Sequence, residues 1–150
     1  MTTPIRNVDV HGDSPLEAWP YEALVTLIER GTARDWARIT GAVRRDPWGP
    51  VARQVEEHLG YADASGRTAL LGRAVASARE EAERAERAAV AAEVDHLIEL
   101  SGLTAADFAR RLGTSAPRLS TYRSGTVVPS AALVLRMRRV AGVPESSVLP

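Results

Sequence analysis

GLTAADFARRLGTSAPRLSTYRSG, residues 102–125, reads as two short helices separated by a tight turn. Thr104 is a good N-cap, because its hydroxyl can accept from a backbone N–H that the first helical turn leaves without a partner. Asp107, three residues on, stands in the place of a capping-box acid. Phe108, Ala109 and Leu112 share one face by helical spacing, and Gly113 ends the helix after two turns. Only Gly113-Thr114 links it to the next. Ser115 then caps a second helix with Pro117 in its first turn, where a missing N–H does no harm. Leu119 and Tyr122 point inward from this helix, and Gly125 closes it. Two short helices about a glycine turn are the supersecondary signature of a helix-turn-helix. Ala109, with its small side chain, fits the closest approach of the pair.

The flanks agree with this reading. Val94, Leu97, Ile98 and Leu100 supply a preceding helix to pack across the pair. Pro129 and Ser130 start a following helix with Leu133, Val134, Leu135, Met137 and Val140 as its apolar content and Gly142 as its stop. Residues 94–143 therefore predict four helices around one small core. Arg136 and Arg139 are expected to form a basic edge on the last helix, and Arg138 a solvated charge.

The spaced residues Gly-Leu-Thr-x-x-Asp-Phe-Ala-x-x-Leu-Gly-Thr-Ser, then Leu-Ser-x-Tyr-x-x-Gly, then Val-Pro-Ser resemble the lambda-repressor-like group, the XRE family of Cro and repressor proteins. The resemblance covers about 50 of the 150 residues. It implies a compact bundle of four or five helices that binds operator DNA as a dimer, the helix after the turn lying in the major groove. Carried over by position, Ala116, Pro117, Arg118 and Thr121 face the groove. Thr104 and Ser115, at helix N-termini where N–H groups favour anions, are expected to contact phosphate. Ser124 and Thr126 after the helix, and Arg123, are expected to do the same. The chain departs from the family at Ala105 and Ala116, where glutamine is common, and at Arg123, where glutamate is common. Without those amides Arg118 is the main candidate reader of base identity.

Working outward, the chain has 45% apolar and 25% charged residues, as an ordinary globular protein does. The formal net charge of zero hides a split. Residues 1–100 carry 12 Arg against 17 carboxylates, a net of −5, and residues 101–150 carry 7 Arg against 2, a net of +5. The basic part suits a polyanion. All 19 basic residues are Arg, which with the abundant Ala suggests a GC-rich bacterial coding bias. Arg also grips phosphate and guanine in bidentate fashion. The absence of cysteine excludes disulfides, thiolate catalysis and Cys-ligated zinc. His11, His58 and His96 are far apart, no phosphate-cradling glycine loop occurs, and no arrangement suggests a nucleophile. No metal, cofactor or enzymatic activity is expected. Nor is there an apolar run long enough for a membrane span or a signal-peptide pattern, so a cytoplasmic protein is expected.

The amino-terminal part also predicts helices. Residues 1–14, broken by proline and glycine, read as a flexible arm. Tyr21, Leu24, Val25, Leu27 and Ile28 mark a first helix ended by a left-handed Gly31. Thr32 caps a second with Trp36, Ile39 and Val43, ending near Asp46. Val51, Val55 and Leu59 mark a third, closing near Gly60, and residues 62–66 read as a loop. From Arg67 to about Leu100 Ala, Arg and Glu dominate, all good helix formers. Leu71, Val75, Ala78, Ala82, Ala85, Ala89 and Ala92 alternate by four and three. Two readings stay open for that seam: packing against the amino-terminal bundle, or a dimer contact. The three tryptophans, Trp19, Trp36 and Trp48, either build the core or form a protein-binding surface.

The expected architecture is therefore all-α: an arm over 1–14, a helical unit over 15–66, a connecting helix over 67–93, and the helix-turn-helix domain over 94–150. The expected function is that of a dimeric, DNA-binding transcriptional repressor. The alternative is an antitoxin of a bacterial toxin–antitoxin pair, capturing a toxin through its amino-terminal part while repressing its own operon.

Overall fold

The computed structural model describes residues 12–144. Among these the chain forms seven α-helices and one 3-10 turn with no strand, an all-α fold. It makes two compact units, residues 1–82 and 83–150. Most of the expected arm lies outside the described residues. Its last residue, Ser14, is held, its carbonyl accepting from Trp19 Nε1 at 3.1 Å and Arg38 Nη2 at 3.3 Å.

In the first unit, α1 (Tyr21–Arg30), α2 (Ala33–Arg45), α3 (Pro50–Tyr61) and the opening turns of α4 (Gly66–Ser101) surround one core. Leu24, Leu27 and Ile28 of α1 meet Ile39 and Val43 of α2, Val51 and Val55 of α3, and Leu71 and Val75 of α4. α2 starts at a full capping box: Thr32 Oγ1 accepts from Asp35 N, and Asp35 Oδ2 accepts from Thr32 N at 2.8 Å. Gly31 corrects the sequence reading. Its φ of −71° is ordinary extended backbone rather than left-handed. Glycine is needed there for room, because a Cβ would collide with the Leu27 carbonyl oxygen and stand 2.9 Å from Asp35 Cβ. The two helices turn too sharply for a side chain.

α3 closes at Tyr61, one residue past Gly60, with Ala62 as the C-cap. Ser65 and Thr68 start α4 with a reciprocal pair, Ser65 N donating to Thr68 Oγ1 at 2.8 Å and Thr68 N to Ser65 Oγ at 3.2 Å. Farther along α4, Arg79 binds Glu56 of α3 through both Nη groups at 2.6 and 2.9 Å and donates from Nε to the Pro47 carbonyl at 3.0 Å. That fork lowers the Glu56 carboxyl below its ordinary value, the hydrogen bond from Arg79 being the main cause.

α4 runs unbroken for 36 residues, about 54 Å at ~1.5 Å per residue. The seam read along it divides. Leu71, Val75 and Ala78 are buried in the first core, whereas Ala85, Ala89 and Ala92 are exposed. Two of the tryptophans serve the core: Trp19 is buried, and half-buried Trp36 donates from Nε1 to the Ile28 carbonyl at 3.1 Å. Trp48 stays 44% exposed, with the Arg79 guanidinium 6.0 Å from its ring centre.

In the second unit the end of α4 is joined by α5 (Ala105–Leu112), α6 (Ala116–Arg123) and α7 (Ala131–Val140). Val94, Leu97 and Ile98 of α4 pack with Phe108, Ala109 and Leu112 of α5, Leu119 and Tyr122 of α6, and Met137 of α7. Leu100, expected in this core, is 52% exposed. At 100° per residue it falls off the stripe that Val94, Leu97 and Ile98 define.

Candidate nucleic-acid interface

The second unit's geometry rests on its caps. α5 ends in a Schellman motif: Gly113, with φ of 81°, donates from N to the Arg110 carbonyl at 3.2 Å, and Thr114 N donates to the Ala109 carbonyl at 2.9 Å. That left-handed residue reverses the chain so that the N-cap of α6, Ser115, follows two residues later. Ser115 Oγ caps α6, accepting from Arg118 N at 3.3 Å, and Ser130 Oγ caps α7, accepting from Leu133 N at 3.2 Å. Neither helix carries an acidic residue in its first turn, so the positive end of each backbone dipole is uncompensated by its own side chains.

α5 differs. Thr104 Oγ1 accepts from Asp107 N at 3.1 Å and donates to Asp107 Oδ2 at 2.9 Å, while Arg110 donates to Asp107 Oδ1 at 2.8 Å. The Thr104 hydroxyl, and after it the Arg110 charge, hold the Asp107 carboxyl below its ordinary value. A carboxylate already sits at this helix end, so Thr104 is a poorer seat for phosphate than Ser115.

The remaining residues singled out by sequence lie on or just after α6. Ala116, Pro117 and Arg118 are exposed, with Ser120 beside them, and Thr121 is half-buried. No bulky apolar side chain stands on this outward face. Thr121 Oγ1 donates back to the Arg118 carbonyl at 2.7 Å. Ser124 and Thr126, both exposed, share a hydrogen bond at 2.8 Å between their hydroxyls, and Ser124 Oγ donates to the Thr121 carbonyl at 3.1 Å. Hydroxyls so engaged keep lone pairs, but their rotors are fixed by the protein.

The arginines separate into two sorts. Arg118 Nε donates to Tyr122 Oη at 3.1 Å, and its guanidinium lies 5.5 Å from the Tyr122 ring centre. The terminal Nη groups make no bond to another described residue. Arg123, by contrast, is paired with Asp95 of α4 through Nε at 2.5 Å. Arg138 is no solvated charge: its side chain is 23% exposed, Nη2 pairs with Glu93 at 3.1 Å, and Nε is buried without a partner. Arg136, exposed, donates to the Leu112 carbonyl at 3.4 Å.

The sequence reading missed Tyr122 as the support for Arg118, although the i,i+4 spacing of the two residues was there to be read. It also missed Asp95 and Glu93 as the partners of Arg123 and Arg138. Those pairs span 28 and 45 residues of sequence, which no local pattern exposes.

Among the described residues no cluster of three or more histidines or carboxylates could hold a metal ion, and no helix is long and apolar enough to cross a membrane. No family model matches the chain, and neither the curated proteins nor the solved structures contain a significant match to it.

Proposed function

We propose that residues 94–143 bind duplex DNA, with α6 entering the major groove, and that the protein is a dimeric transcriptional repressor. The observation that carries this reading is the outward face of α6. It is short, free of bulky apolar residues, capped by Ser115 without an acid, and equipped with one guanidinium braced on Tyr122. A helix so furnished fits a groove about 12 Å wide. Its N-terminus and the N-terminus of α7 offer N–H groups to phosphate, and the braced Arg118 offers a fork to guanine. A bidentate Arg–guanine contact contributes about 1–3 kcal/mol of discrimination. In a dimer on a two-fold operator, two copies of α6 would stand about 34–36 Å apart, one turn of DNA.

Fluorescence-anisotropy titration of the full chain against the DNA upstream of its own gene, and against scrambled DNA, tests the proposal. A specificity ratio of about 10³ or more supports a sequence-specific regulator. Weak and equal binding to both DNAs overturns it.

A second reading, an antitoxin that captures a partner protein through its first unit, is favoured by two aromatic side chains. Trp48 is 44% exposed and Tyr61 84% exposed, and such residues anchor protein interfaces. Co-expression with the product of the neighbouring gene and affinity purification of the tagged chain tests it; the absence of a stoichiometric complex overturns it.

A further inference from the structure

The first unit contains a pocket of about 510 Å³ between α1, α3 and the start of α4, in the size range of small-molecule sites. Val25, Ile28 and Leu71 make its apolar wall, and Tyr61 stands at its edge. His58 also lines it and is 9% exposed. The position of this histidine is set by helical spacing. Val51, Val55 and His58 share the inward face of α3, and where the first two meet apolar neighbours the third meets the pocket. Its imidazole makes no hydrogen bond to any other described residue. A largely buried ring that lines a pocket and has no partner among the described residues is free to pair with a ligand's polar group.

Charge selects the class of ligand. Glu29 and Asp63 both line the pocket, against a single guanidinium, Arg67, which donates to the Glu29 carbonyl oxygen at 3.1 Å. Glu22 and Glu57 add acidic charge elsewhere along α1 and α3. The Tyr21 hydroxyl is pushed above its ordinary value, first by desolvation and then by Glu57, Tyr61, Glu22 and Glu29. An exposed phenol ring at the edge adds a face on which a cation can rest.

We propose that this pocket binds a small organic cation with an apolar body, an aryl- or alkyl-ammonium compound. The body lies against Val25, Ile28 and Leu71, the ammonium group lies between Glu29 and Asp63 under the Tyr61 ring, and the His58 ring offers a further polar partner. This assignment is independent of DNA binding, because the measurement that tests it reads the first unit alone within the full chain.

The probe is phenethylamine, compared with 3-phenylpropionate and 2-phenylethanol, which keep the aromatic body and change only the head group. Each is titrated to roughly 20 mM into isotopically labelled protein, well above the ~1 mM dissociation constant expected of a fragment this size. The expected result is saturable shifts of the Ile28, Tyr61 and Thr68 amides and of the His58 ring signals with the amine alone. In the Glu29→Gln/Asp63→Asn double variant, exposed substitutions that leave the core intact, the amine's affinity should fall at least about tenfold. Equal or tighter binding of the carboxylate would overturn the proposal in favour of an anion held by Arg67. Equal binding of the alcohol, unchanged amine affinity in the double variant, or no saturable shift in these residues would overturn it as well.

Discussion

If the second unit binds DNA, its salt dependence can be calculated from which arginines are already spoken for. Each phosphate neutralised adds about −0.9 to the slope of log affinity against log salt concentration. Residues 94–143 contain seven arginines, of which Arg139 is also engaged within the protein. Arg110, Arg123 and Arg138 are in ion pairs with Asp107, Asp95 and Glu93. Arg118, Arg111 and Arg136 are exposed and make no ion pair among the described residues. Three such cations give a slope near −2.7, or about a 40-fold loss of affinity per bound unit between 50 and 200 mM salt. Arg118→Ala should flatten the slope to about −1.8, cutting that loss to about 12-fold. Asp95→Asn, which releases Arg123, should steepen it to about −3.6, or about 150-fold. Arg138→Ala should leave the slope unchanged. Anisotropy titrations of the four proteins at five salt concentrations measure all of this, with circular dichroism confirming that each variant is folded. Equal slopes for the Arg118 and Arg138 variants would refute the assignment of free and committed charges. A steeper slope for Asp95→Asn is its most specific consequence, since that change adds no residue that could itself touch DNA.

Gly31→Ala and Gly60→Ala should move stability in opposite directions. A Cβ at Gly31 meets the Leu27 carbonyl, and relieving that clash costs about 1–3 kcal/mol. A Cβ at Gly60 meets nothing within 4 Å on a helix and should add about 0.5–1 kcal/mol; urea unfolding compares the two, and the same sign for both would refute the packing argument. Ser115→Ala removes the acceptor for Arg118 N and should cost about 1 kcal/mol of second-unit stability, read as protection of the α6 amides in hydrogen exchange. The lowered Glu56 carboxyl contributes stability that is complete above its ordinary value of 4.5 and is lost as pH falls through its lower value in the folded state. Glu56→Gln should therefore remove part of the acid-limb loss seen in thermal unfolding below about pH 4.5; identical acid limbs would count against the Arg79 fork.

Local chemistry made much of the second unit legible. Thr104, Ser115 and Ser130 each cap the helix that follows because a hydroxyl and an N–H three residues on are fixed by backbone geometry alone. Gly113 was legible for the same reason. Gly31 was misread because a glycine near a helix end can serve left-handed backbone, close approach or neither, and only the packed neighbours distinguish these uses. The alanine seam of α4 was legible only as a shared face, for a related cause. Periodicity shows which residues share a face, not whether anything lies against it. Ala78 found a partner in the first core, while Ala85 and Ala89 lie where the chain has passed from one unit to the other.

The candidate site was legible by position but not by charge. Cut at residue 100, the chain divides into −5 and +5; cut where the structure divides it, residues 1–82 carry 10 Arg against 12 carboxylates and residues 83–150 carry 9 against 7, only −2 and +2. The difference is the second half of α4, which belongs to the second unit and brings Glu93 and Asp95 to face Arg138 and Arg123. Surface pairs of this kind contribute little to stability, typically under about 1 kcal/mol. What they change is the field that a polyanion meets: a guanidinium held by a carboxylate attracts phosphate far less than a bare one does. Arg118 stands apart because its support is a phenol ring and hydroxyl, which orient the guanidinium while leaving its charge intact. On a helix whose other outward residues are Ala116, Pro117, Ser120, half-buried Thr121 and the carboxylate-paired Arg123, that one braced cation is the group through which base identity would be read.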